Sequence, residues 1–200
     1  MTYAIAKAVL DVLLAACALL LLAPLLLLIA LSVWLEDPGA PVLFRQRRCG
    51  LGGRPFELLK FRTMVRNADA LKESLRERSV VAWPDFRLPN DPRVTRLGRF
   101  LRRSSLDELP QLVNVLRGEM SLVGPRPTSF EVSTYSLWQT ARLDFRPGIT
   151  GPWQVQGRNR MDFTERCRLE IGFFRRRSLA RELWLLLRTI PCVLRRTGVA

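Results

Sequence analysis

Residues 12–35 read VLLAACALLLLAPLLLLIALSVWL, twenty-four positions without a charge. As a helix they reach about 36 Å, more than the roughly 30 Å hydrocarbon core of a bilayer. The run is longer than the apolar region of about 7–15 residues in a signal peptide, and no small-x-small cleavage site stands out after it. The segment is therefore expected to be a retained membrane anchor. Pro24 follows Ala23 near its middle. An interior proline removes one backbone hydrogen bond and crowds the carbonyl four residues back, which bends a helix. Two readings stay open: a kinked spanning helix, and a helix-break-helix that enters and leaves by one leaflet. Arg45, Arg47 and Arg48 direct the downstream chain to the cytoplasm, whereas Lys7 and Asp11 leave the N-terminus undecided.

Charge divides the chain the same way. Residues 1–40 set Lys7 against Asp11, Glu36 and Asp37, a net of −2, so the +14 of the whole leaves +16 for the rest. A surface of that kind seeks anions: nucleic acid, anionic headgroups or phosphorylated small molecules. The four cysteines (Cys17, Cys49, Cys167 and Cys192) form no CxxC pair, and the chain has no histidine, which removes a zinc site. Any metal should be a hard cation held by carboxylates and phosphates, which points to Mg²⁺.

Past a Pro38–Pro41 linker, VLFRQRR (42–48) and FELLKFR (56–62) read as a β-hairpin across a glycine-rich turn. A phosphate cradle should open a helix, and here a strand follows instead. Helices are expected at 68–79, 94–103, 110–117, 162–175 and 178–196. The last mixes leucines and Trp184 with Arg181, Arg188, Arg195 and Arg196, the pattern of an in-plane interfacial helix or of an ordinary core helix. The fold class is α+β and mostly helical, with an anchor at 1–40 and a second domain at 41–200.

The densest chemistry lies in RRSSLDELP (102–110). Ser105-x-x-Glu108 matches a capping box, but Pro110 would then be the fifth helical residue, at a cost of about 3 kcal/mol. Pro is comfortable where a helix starts, which leaves Asp107 and Glu108 just ahead of that helix, among arginines. Such a setting keeps an Asp ionised and favours phosphate nearby, so Asp107 is a candidate nucleophile on phosphorus. Pro125-Arg126-Pro127 holds one guanidinium rigidly, which suits phosphate. Lys60 and Arg62 share a strand face and either hold a diphosphate or line a solvated surface. Arg146 and Arg158 belong to another basic loop, RPGITGPWQVQGRNR.

The stretches VLFRQRRCG, PFELLKFRTM, NDPRVTRLGRFLRRSSLDELPQLVNVLRGEMSLVGPRP and FRPGITGPWQVQGRNR occur in this order. On them the chain resembles the bacterial sugar transferases, or monotopic phosphoglycosyl transferases. The resemblance implies a re-entrant membrane helix broken at Ala23-Pro24, with a small catalytic domain on the cytoplasmic face of the bacterial inner membrane. It also implies that Asp107 attacks the sugar-bearing phosphate of a UDP-sugar, expels UMP, and passes the phosphosugar to polyprenyl phosphate. Glu108 would share Mg²⁺ or take a proton from the lipid phosphate. Arg126 would bind phosphate, and Arg146 and Arg158 the nucleotide diphosphate. Members often carry an LDxxY segment where this chain has Leu169-Glu170 followed by Phe173 and Phe174, so Glu170 is a possible third acid toward the metal. The partners expected are UDP-sugar, polyprenyl phosphate and membrane lipids. A membrane-tethered nucleic-acid binder is the competing reading, yet no known binding module is present.

Overall fold

The computed structural model describes residues 2–79, 88–156 and 161–194. Its first element, α1 (Thr2–Glu36), is a single helix of 35 residues with Pro24 inside it. An 18-residue stretch of it has a mean hydropathy of 3.0, and the helix is long and apolar enough to cross a membrane. The break expected at Pro24 is not a gap in the helix, because helical structure continues on both sides of it. The reason is local: the proline removes one hydrogen bond of a long ladder whose other bonds remain.

What the sequence does not reveal is how much of α1 touches protein. Asp11, Ala15, Ile29 and Val33 are buried, and Ala18, Leu19, Leu25, Leu26 and Ala30 pack partly against the same clusters. Their spacing of three and four residues makes one stripe along the helix. Near its start, Tyr3 donates to Glu182 (2.5 Å) and Lys7 pairs with Glu182 (2.9 Å) and Asp11 (2.5 Å). The Asp11 carboxylate accepts from Ser121 Oγ (2.7 Å) and the Leu122 N–H (3.3 Å). At its end, Arg62 donates to the Val33 (2.8 Å), Asp37 (3.3 Å) and Pro41 (2.9 Å) carbonyls. The Val33 and Asp37 carbonyls lie at the end of α1, where unpaired acceptors suit a cation, and the Pro41 carbonyl belongs to the linker beyond it. The opposite side is bare apolar surface, with Leu20, Leu21, Leu27 and Leu28 all more than 60% exposed.

The strands β1 (Leu43–Cys49) and β2 (Pro55–Phe61) pair antiparallel from Leu43↔Phe61 to Cys49↔Pro55. Gly52 and Gly53 turn the chain between them at φ 61° and 77°, so these glycines serve the hairpin. After α2 (Ala68–Ser74) come α3 (Arg96–Ser104) and α4 (Gln111–Leu116). The buried Asn114 ties α4 to the hairpin: its side chain accepts from the Leu59 N–H (3.0 Å) and donates to the Glu57 carbonyl (2.7 Å). Two short strands absent from the sequence reading, β3 (Ser121–Val123) and β4 (Gly148–Thr150), pair in parallel. Three residues each give too little alternation to read from sequence.

The chain continues through α5 (Pro152–Gln156), α6 (Phe163–Arg175) and α7 (Leu179–Leu194). On α7, Leu185 and Glu182 face the protein, while Leu183, Trp184, Leu187 and Ile190 are exposed on one side. Arg188 lies over the Trp184 ring at 5.1 Å. An ordinary core helix would turn such residues inward.

Two glycines separate steric need from mere presence. A Cβ on Gly98 in α3 would stand 2.1 Å from the Thr63 carbonyl oxygen, whereas one on Gly172 in α6 meets nothing within 4 Å. Gly98→Ala should destabilise by about 1–3 kcal/mol through overpacking. Gly172→Ala should stabilise by roughly 0.5–1 kcal/mol through lost chain entropy. Denaturant midpoints of the two variants in the same detergent check the opposite signs.

Candidate active site

The site begins where α3 ends. Ser105 closes that helix in the left-handed region (φ 56°, ψ 17°), with its N–H bonded to the Arg102 and Leu101 carbonyls. A 3₁₀ turn over Leu106–Glu108 follows, and Pro110 stands at the head of α4. The capping box excluded by Pro110 is indeed not formed, since no side chain caps this turn. Asp107 and Glu108 thus sit between two helices, on a turn whose ends are both held.

Glu108 is the hub. Its Oε1 accepts from Lys60 Nζ of β2 at 2.8 Å and from the Arg126 guanidinium at 2.7 Å. Burial opposes its ionisation, but Arg126 and Lys60 outweigh burial and hold its carboxyl well below the usual range. Asp107 differs. Only 7% exposed, it has no side-chain hydrogen bond among the described residues. Burial raises its pKa and the neighbouring Glu108 charge adds to that, against the pull of Lys60, Arg102 and Arg126. An Asp kept ionised by surrounding arginines was the expectation. The structure gives the cations to Glu108 and leaves Asp107 the harder carboxyl to ionise, because two acids so close compete for the same charges.

Of the other residues singled out in the sequence, Arg126 is brought to the acidic pair with its side chain about a third exposed. Lys60 is brought there too, but Arg62 is not. It lies beyond the end of β2, 8% exposed and engaged with the C-terminus of α1, so the shared strand face does not extend to it. Arg146 is exposed and has no side-chain partner among the described residues. Arg158 lies outside the described residues. Glu170 is fully buried and engaged by Arg142 (2.6 Å) and the Arg126 N–H (2.9 Å). It therefore stands against the Arg126 backbone with both carboxylate oxygens engaged.

The basic loops are joined by backbone. The Gly124 N–H donates to the Thr150 carbonyl and the Gly148 N–H to the Pro125 carbonyl, both at 2.9 Å. A Cβ on Gly124 would lie 2.2 Å from the Arg146 carbonyl oxygen, and one on Gly148 would lie 2.0 Å from the Gly124 nitrogen. These glycines allow two chain segments to touch. Sequence reasoning missed three participants. Arg102 donates to Thr63 Oγ1 (2.9 Å) and acts on the Asp107 charge. Trp153 stacks with Arg166 (4.7 Å) and Arg126 (5.8 Å), and Arg142 fixes Glu170. Arg102, within RRSSLDELP, and Trp153, within RPGITGPWQVQGRNR, lie in stretches singled out from the sequence, whereas Arg142 carried no local signal.

Among the described residues no group of three metal-binding side chains occurs. A magnesium ion typically uses one or two carboxylates and completes its shell with water and substrate phosphates. The Asp107 carboxylate, with Glu108 beside it, fits that requirement.

Comparison with known proteins identifies the family of the chain. The family model described as bacterial sugar transferase matches residues 2–196. A UDP-glucose:undecaprenyl-phosphate glucose-1-phosphate transferase of Caulobacter vibrioides is 47% identical over 94% of this chain and 69% of its own length. The exopolysaccharide production protein ExoY of Rhizobium meliloti is 44% identical over 94% of this chain and 85% of its length. An undecaprenyl-phosphate galactose phosphotransferase of Salmonella typhimurium is 44% identical over 80% of this chain but only 35% of its length, so some relatives are much longer. The chain belongs to the bacterial sugar transferase family.

Proposed function

We propose that this enzyme transfers a sugar-1-phosphate from a UDP-sugar to polyprenyl phosphate, with Asp107 as the covalent nucleophile. One observation carries the reading: the Asp107 carboxylate is left free of side-chain partners while its neighbour Glu108 takes up Lys60 and Arg126. A carboxylate so placed attacks the sugar-bearing phosphorus. The bond from that phosphorus to the bridging oxygen breaks, UMP leaves with the electron pair, and an acyl phosphate remains on Asp107. An oxygen of polyprenyl phosphate then attacks the same phosphorus, the acyl phosphate bond breaks, and the Asp107 carboxylate is restored. Arg126, rigidly placed and partly exposed, binds the transferring phosphate, and Lys60 adds positive charge beside it. Arg146 and Arg158 serve the nucleotide diphosphate. Asp107 and Glu108 would hold Mg²⁺, which when bound offsets charge on the diphosphate.

The names of the relatives support the donor and acceptor classes. The packing of α1 supports a re-entrant anchor at residues 1–40 that bears a cytoplasmic catalytic domain at 41–200. In a spanning helix the start would lie across the bilayer from the domain, yet Tyr3, Lys7 and Asp11 touch α7 and β3, and Val33 touches Arg62. The bare leucines around Pro24 would face lipid, and Leu183, Trp184, Leu187 and Ile190 of α7 would rest at the interface.

Four measurements test this account. Intact-mass spectrometry after incubation with UDP-sugar and without lipid acceptor should show one added phosphosugar on the wild type and none on Asp107→Asn. The variant should also lose at least 10³-fold in turnover, as expected when a nucleophile is removed. An Asp107→Asn enzyme at wild-type rate would remove the covalent route.

The acid limb of kcat/KM should follow the ionisation of Asp107. Lys60→Met removes a charge that lowers that pKa, so its limb moves to higher pH. Glu108→Gln removes one that raises it, so the limb of its residual activity moves lower. Cysteine labelling at position 2 in sealed vesicles should report the same side as the catalytic domain. Labelling from the opposite side alone would mean that α1 spans.

A further inference from the structure

Behind the Arg126 loop lies a buried ion pair that the chemistry above does not use. Arg142 is 3% exposed and Glu170 not at all, and they meet through Nη2 (2.6 Å) and Nε (3.1 Å) on one carboxylate oxygen, Oε2. The other oxygen, Oε1, accepts the Arg126 N–H at 2.9 Å. Arg142 Nη2 also donates to the Arg126 carbonyl at 2.8 Å. Its remaining Nη1 donates to the Tyr135 hydroxyl (3.2 Å), which in turn hydrogen-bonds Thr128 two residues past Arg126. Among the described residues, every outward hydrogen bond of the pair therefore ends on the segment 126–128 or on the tyrosine that braces it.

A buried ion pair is a weak source of stability, since desolvation offsets most of the Coulomb gain. Its value here is geometric. The pair holds both polar groups of one peptide residue, the N–H by the acid and the C=O by the base. Pro125 and Pro127 restrict the backbone on either side. With main chain fixed at both ends, the Arg126 side chain has few ways to leave Glu108.

We propose that Glu170 and Arg142 are positioning residues for Arg126, a clamp on its backbone that aims the guanidinium at Glu108 and at the donor's phosphate. The assignment rests on the phosphate-binding role given to Arg126 above. It makes Glu170 a group that acts through Arg126, in place of a third acid toward a metal.

The informative variant is Glu170→Asp, which keeps the charge beside Arg142 but retracts the carboxylate by one carbon–carbon bond, about 1.5 Å. Should it fold poorly, Glu170→Gln/Arg142→Met removes both charges together and leaves no orphan ion in the interior. In detergent-purified enzyme without donor, hydrogen exchange in the peptide spanning 124–128 should quicken while the core of α6 keeps its protection.

In the UMP-release assay kcat/KM should fall about 10–100-fold, the usual effect of losing a supporting partner. Added to Arg126→Ala, the Glu170 substitution should cause no further loss. Unchanged exchange at 124–128, or a loss that multiplies in full on Arg126→Ala, would each overturn the clamp. Exchange needs no substrate, so failure of the transferase reading and failure of the clamp are seen separately.

Discussion

The arrangement depends on Glu108 holding two cations from distant parts of the chain. Lys60 comes from the hairpin and Arg126 from the loop after β3, and neither segment is near the 106–108 turn in sequence. One carboxylate thus joins three pieces of backbone. It also sets the electrostatics of its neighbour: with Glu108 ionised and satisfied, Asp107 feels three positive groups, Lys60, Arg102 and Arg126, without a side-chain hydrogen bond to any of them among the described residues. A nucleophile needs that combination of proximity without engagement, because a carboxylate already tied by hydrogen bonds gives up reactivity along with its lone pairs.

The apolar helix is part of this framework and more than a tether. Asp11 in α1 accepts from the backbone of β3, the strand that leads directly into Gly124 and Arg126. Arg62, one residue past β2, closes the other end of the same helix. A membrane segment that shares hydrogen bonds with both strand systems fixes where the site sits relative to lipid. That suits the proposed acceptor, which has its phosphate at the bilayer surface and its chain within it.

Parts of this were legible beforehand because their signals are local. The charge-free run announced α1, the glycine turn between two β-rich segments announced the hairpin, and Pro110 barred a helix through Asp107 and Glu108. Other residues defeated local reading. Lys60 and Arg62 look alike on a strand pattern, but one reaches the acidic pair and the other caps a helix, since Arg62 falls just beyond the last strand pairing. The glycines of RPGITG read only as part of a basic loop, yet Gly148 is there so that two backbones can touch.

The sequence alone determined the long apolar helix, the basic domain behind it, the acidic pair at a helix start and the motifs that mark a sugar transferase. Hydropathy, proline geometry and contiguous motifs are all read along the chain. Which carboxylate takes the cations, which arginine serves the site, and how α1 lies against the domain were decided only in three dimensions. Those outcomes depend on distances between residues separated by tens of positions, and on the competition between burial and charge that only packing resolves.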